Sequence, residues 1–131
     1  MSVHKYTSWG RTRRPKPATG TDGENVTNVA DLATLNALTK ATDYDASNGV
    51  YKTENQRYMH LAASGSSTVA NVWVYSHAMG YWSELTTVKP SDGTLLTITV
   101  GNDEYRIVDI SGADYVSAKI TGTVRMAFST F

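Results

Sequence analysis

The sequence predicts an all-β protein: an antiparallel β-sandwich, jelly-roll-like or immunoglobulin-like, with an extended N-terminal arm and one short helix. Three observations predict it. Thr occurs 18 times and Ser 12 times, whereas Leu, Ile, Val and Phe together reach 25 of 131 residues, about 19%. Disorder also requires a high net charge, and the formal net charge is zero. Eight Tyr, three Trp and four Met supply further apolar surface, and a chain rich in Thr, Val and Tyr suits pleated, half-buried strands. Alternating segments recur at spacings near ten residues, separated by Gly, Pro, Asn and Asp turn chemistry, which is the pattern of a sandwich.

The length is about one domain's worth of chain. Residues 1–28 read as an extended basic arm, because no period of 2 or 3.6 survives among Gly10, Pro15, Pro17, Gly20 and Gly23. Residues 29–131 read as a single β-sandwich domain. Asn28 followed by Asp31 resembles a helix N-cap, and Leu32, Leu35 and Leu38 place a short helix over about 29–40. Asn48-Gly49 suits a two-residue hairpin turn.

A strand is expected over Gln56–Ala63, and Ser64–Ser67 forms a turn. Val69–His77 is the strongest strand, with Val72 and Val74 on one face and Trp73 and Tyr75 on the other. After Gly80 a strand continues over Tyr81–Thr87, and Lys89–Gly93 forms a turn. Thr94–Val100 places Leu96, Ile98 and Val100 inward. Gly101–Asp103 then makes a hairpin into Tyr105–Ile110. Beyond a corner at Ser111–Asp114, Val116, Ala118 and Ile120 share one face, and Val124, Met126 and Phe128 alternate in the last strand.

The sequence offers little enzyme chemistry. There is no Cys, which excludes disulfides, thiolate zinc ligands and thiol nucleophiles. His4, His60 and His77 form no metal-ligand spacing, and no phosphate loop, dinucleotide fingerprint or nucleophile elbow occurs, so no catalytic residue and no cofactor is expected. No apolar run is long enough for a membrane helix, and the first residues do not read as a secretory signal. Asp43, Asp45 and Glu54 imitate positions 1, 3 and 12 of a calcium loop. The glycine falls at position 7 rather than 6, however, and an Asn-Gly hairpin explains the same residues. Trp73, Tyr75, Tyr81 and Trp82 fall on adjacent strands. They could pack in the core or an interface, or stack on sugar rings as in a carbohydrate-binding module.

The zero net charge divides along the chain. Residues 1–16 carry Lys5, Arg11, Arg13, Arg14 and Lys16 and no acid, whereas the remainder carries 7 basic and 12 acidic side chains. An acidic body argues against nucleic acid as partner. Lys5, Trp9, Arg11, Arg13, Arg14 and Lys16 are therefore expected to bind a neighbouring acidic protein subunit, a second copy included, and a homo-oligomer is expected.

The segments Val72–Tyr75 (VWVY), Gly80–Leu85 (GYWSEL), Tyr105–Val116 (YRIVDISGADYV) and Ala118–Val124 (AKITGTV) resemble small structural proteins of tailed-bacteriophage virions. The resemblance covers roughly residues 56–131 and lies in texture, not in an invariant signature. It implies a β-sandwich located in the virion. The implied role is a capsid decoration (cement) protein bound to the major capsid protein, or else a tail, neck or fibre component. It implies no catalytic residues.

Overall fold

The computed structural model describes residues 14–130; Lys5, Trp9, Arg11 and Arg13 lie outside them. Among the described residues there are ten strands: β1 (Lys16–Pro17), β2 (Tyr51–Lys52), β3 (Tyr58–Ala63), β4 (Thr68–Tyr75), β5 (Trp82–Glu84), β6 (Thr86–Val88), β7 (Leu95–Thr97), β8 (Tyr105–Asp109), β9 (Tyr115–Thr121) and β10 (Val124–Ser129). They form two antiparallel four-stranded sheets, ordered β1-β10-β3-β8 and β2-β9-β4-β5, and a separate β6-β7 ribbon. The fold is the all-β, antiparallel sandwich that the alternation predicts.

The core lies between the two large sheets. Met59, Leu61 and Ala63 of β3 and Val124, Met126 and Phe128 of β10 face Val72 of β4 and Val116, Ala118 and Ile120 of β9. A bulge between Val69 and Asn71 adds one residue to β4. It keeps Val69 on the same inward face as Val72, and leaves Trp73 and Tyr75 pointing out of the back of that sheet.

A third layer covers that back. Residues 29–50 bring Val29, Leu35 and Val50 onto Trp73, Tyr75 and Trp82 in a second cluster. The expected single helix over 29–40 is instead two short helices, Leu32–Asn36 and Lys40–Asp43. Its N-cap is Asp31, whose carboxylate accepts the Thr34 N–H, and not Asn28. Asn28 is used at longer range: its side-chain oxygen accepts the Ile120 N–H of β9 at 2.8 Å.

Two turns and the facing of one strand residue also differ from expectation. Asn48-Gly49 is not a hairpin. Gly49 (φ 74°) terminates a 3-10 turn, Ala46–Asn48, that Asp45 caps. Gly101–Asp103 does not pair its flanking segments either. Val100 bridges to Val69 while β8 pairs with β3, so this turn carries the chain from one sheet to the other. Ile98 and Val100 are buried as expected, but Leu96 is exposed, because β7 pairs only with β6 in a ribbon that stands clear of the core.

The described part of segment 1–28 lies on the body. Lys16 and Pro17 pair with Phe128 and Ala127, and Val26 is buried with its N–H donated to the Val124 carbonyl.

Candidate functional site

The groups with chemical potential are built into structural bonds. His60 is buried on β3 with one ring nitrogen 2.5 Å from the Tyr105 hydroxyl and the other 2.7 Å from the Ser129 hydroxyl. Burial holds its pKa below the ordinary imidazole value. The exposed His77 has the Lys40 ammonium 2.6 Å from Nδ1 and an Asp114 carboxylate oxygen 3.9 Å from Nε2. The other Asp114 oxygen accepts the His77 backbone N–H at 2.7 Å, which fixes the loop after β4.

The calcium candidates do not converge. The Asp43 carboxylate accepts the Thr39 N–H, and Asp45 accepts the Ser47 hydroxyl and the Asn48 N–H. Glu54 sits two residues beyond β2 in a left-handed turn (φ 53°). Among the described residues no three His, Cys, Asp or Glu side chains are grouped to hold a metal ion.

The four aromatics separate. Trp73 (4% exposed), Tyr75 (7%) and Trp82 (2%) fill the space between the β2-β9-β4-β5 sheet and the layer of residues 29–50. Tyr44 meets Tyr75, Trp82 and Tyr115 edge-to-face at centroid distances of 5.1–5.7 Å. These rings therefore cannot stack on a sugar or a partner subunit. Tyr81 is 60% exposed, beside the exposed Met79.

Of the basic arm residues, two are described. Arg14 pairs with Asp22 at 2.8 Å, both well exposed, which is worth little in water. Lys16 is exposed on the edge strand β1.

The outer face of the β1-β10-β3-β8 sheet carries exposed apolar side chains. The pairing register sets Tyr105, Ile107 and Asp109 of β8 beside Tyr58, His60 and Ala62 of β3, with Arg125 and Ala127 of β10 and Pro17 of β1 beyond. Tyr105 is 62% and Ile107 54% exposed. A groove of about 160 Å³ runs over this face from Pro15, Pro17 and Asp22 to His60 and Tyr105. Asp109 is held as a carboxylate, its pKa lowered by hydrogen bonds from the Ser111 hydroxyl and N–H and by Arg57, 3.3 Å away. Exposed large apolar groups on an open sheet face suit protein–protein contact more than capture of a small molecule.

Sequence reasoning missed Tyr105 and Ile107 as a surface. The available signal was that β8 carries large apolar residues on both of its faces, Tyr105 and Ile107 on one and Val108 on the other. A strand with one solvated face does not need that.

No protein-family model matches the chain, and no curated protein matches it. Among solved structures it is similar to the crystal structure of the SPBc2 prophage-derived protein YomS. The identity is 23% and the TM-score 0.38, over 60% of this chain and 73% of that one.

Proposed function

We propose that this chain is a non-enzymatic structural subunit of a tailed-phage virion, a decoration (cement) protein that binds between capsid subunits and stabilises the head. One observation carries the reading. The segment that holds the basic residues joins the body at β1, an edge of the same sheet whose outer face presents Tyr105 and Ile107. A sheet face that exposes large apolar side chains, with a basic segment joined at its edge, suits a partner that is already folded and acidic.

The energetics fit this use. A segment that orders on binding loses roughly 1–2 kcal/mol per residue of conformational freedom. Many copies on a lattice offset that loss through avidity. Lys5, Arg11, Arg13, Arg14 and Lys16 would pair with carboxylates of the major capsid protein or of a neighbouring copy. The sequence texture of residues 56–131 supports a virion component. A tail, neck or fibre location is the second reading from the same texture.

The test is mass spectrometry and antibody labelling of density-banded virions from the phage or prophage that carries the gene. The chain is expected in structural amounts on heads. Labelling of tails supports the second reading, and absence from virions overturns both. On heads, removal of residues 2–13 is expected to abolish binding by a chain that remains folded.

A further inference from the structure

We infer that the free edge of β8 is the pairing site for a second copy of this chain, which joins two sandwiches about a two-fold axis into one continuous sheet. This goes beyond the virion reading and stands or falls in a solution of the chain alone.

The Ala63 N–H donates to the Glu104 carbonyl at 3.1 Å and the Ile110 N–H to the Arg57 carbonyl at 2.8 Å. Residues 104 and 110 therefore face β3. Antiparallel alternation turns the N–H and C=O of Tyr105, Ile107 and Asp109 to the open side. Among the described residues no backbone group pairs with that side.

The other edges of the two four-stranded sheets are protected. β1 has two residues, one of them Pro17; β2 has two and β5 three. Short strands and proline are the usual protection of an edge. β8 runs five residues with no proline and no bulge, and Tyr105 and Ile107 are exposed along it.

Self-complementarity of β8 selects a second copy as the occupant. With Ile107 opposite the partner's Ile107, Tyr105 stands opposite the partner's Asp109. Its hydroxyl faces a carboxylate, and Arg106 faces the partner's Val108. No like charges are opposed. A two-residue slip one way sets Arg106 against the partner's Arg106 and Asp103 against the partner's Asp109. A slip the other way sets Ile107 against the partner's Asp109. The first slip opposes like charges, which is destabilising, and the second sets an apolar side chain against a carboxylate, so the register with Ile107 opposite Ile107 is selected. It places the two Ile107 side chains together on the outer face, about 5.5 Å apart at Cα.

The chain has no cysteine, so introduced cysteines report the register directly. Sedimentation velocity of the full chain is expected to show a dimer. Ile107→Lys is expected to weaken it at least ~10-fold with an unchanged circular dichroism spectrum, since two ammonium groups then meet at the axis. Under mild oxidation Ile107→Cys is expected to cross-link, because its spacing lies within disulfide range. Tyr105→Cys alone is expected not to cross-link, but a mixture of Tyr105→Cys and Asp109→Cys chains is. A monomeric parent chain overturns the inference, as does a dimer indifferent to Ile107→Lys or a Tyr105→Cys chain that cross-links as fast as Ile107→Cys. A dimer lost on removal of residues 2–13 but kept in Ile107→Lys also overturns it, and assigns the contact to the arm.

Discussion

The indole N–H of Trp82 donates to the Tyr44 hydroxyl at 2.9 Å and so fastens the loop between the short helices and the 3-10 turn to strand β5. Trp82 is 2% exposed, and its N–H has little access to water. Burial raises the pKa of the Tyr44 phenol, so it remains a neutral hydroxyl able to accept. Tyr44→Phe keeps the edge-to-face ring contacts and removes the acceptor alone. The expected loss is about 1–2 kcal/mol in urea unfolding, the cost of a buried donor left without a partner. A loss below a few tenths would mean that water reaches the indole.

His60 makes stability depend on pH. Its ordinary pKa is 6.5, and burial lowers the folded value. As pH falls through about 6.5 the unfolded chain takes up a proton that folded His60 still resists, so the unfolded state binds more protons. The stabilisation is therefore complete above that pH, declines through it, and levels off below the folded pKa. Urea midpoints across pH 7 to 5 should fall for the parent chain and fall less for His60→Gln, which does not titrate. Equal slopes for the two chains would remove His60 as the cause.

Two glycines with similar backbone angles should respond differently to alanine. Gly49 (φ 74°) and Gly65 (φ 64°) both occupy the left-handed region. A Cβ at Gly65 meets nothing within 4 Å, whereas one at Gly49 would lie 2.6 Å from Val29 Cγ2 and 2.9 Å from the Thr27 carbonyl oxygen. Gly65→Ala should cost about 1 kcal/mol, the conformational term alone. Gly49→Ala should cost at least about 2 kcal/mol more, because a backbone atom must move. Chemical denaturation of the pair measures the difference.

These residues also mark where the sequence stops being informative. Period-2 alternation depends on neighbours in the chain, so the two faces of β4, β9 and β10 were legible. Which sheet a strand enters was not. Ser64–Ser67 and Gly101–Glu104 have ordinary turn chemistry, yet each carries the chain between sheets, because a glycine that permits a hairpin equally permits an arch. The covering layer was hidden for a similar reason. Asn28 reads locally as a helix cap, but its oxygen bonds to Ile120, 92 residues away. That layer decides that Trp73, Tyr75 and Trp82 are core residues, and no local pattern announces it. The basic segment was legible as charge, whereas the β8 surface required knowledge of which strand stands at the edge.

Ser117 provides a test of opposite sign. It is fully buried on β9, paired with Trp73 of β4, and its hydroxyl has no hydrogen-bond partner among the described residues. A buried hydroxyl without a partner opposes folding. Ser117→Ala should therefore be neutral or stabilising by up to about 1 kcal/mol. A clear destabilisation would show that the hydroxyl makes a bond.

Removal of residues 2–13 leaves in place every bond described above, so the body should still fold. Extending the removal to residue 28 takes away β1 and its pairing with β10. It also removes the buried Val26 side chain and its bond to Val124, the Thr27 N–H that donates to the Tyr51 hydroxyl at 2.8 Å, and the Asn28 oxygen that accepts from Ile120. Burial of a valine contributes roughly 1.5–3 kcal/mol, and each hydrogen bond about 1 kcal/mol. The combined loss, about 5 kcal/mol, reaches the total stability of many small domains, about 5–15 kcal/mol. The chain lacking residues 2–28 should therefore lose its cooperative thermal transition, while the chain lacking residues 2–13 keeps it. Circular dichroism melts of the two chains decide the matter. A cooperative, unshifted melt of the shorter chain would mean that residues 14–28 lie on the sandwich without contributing to its stability.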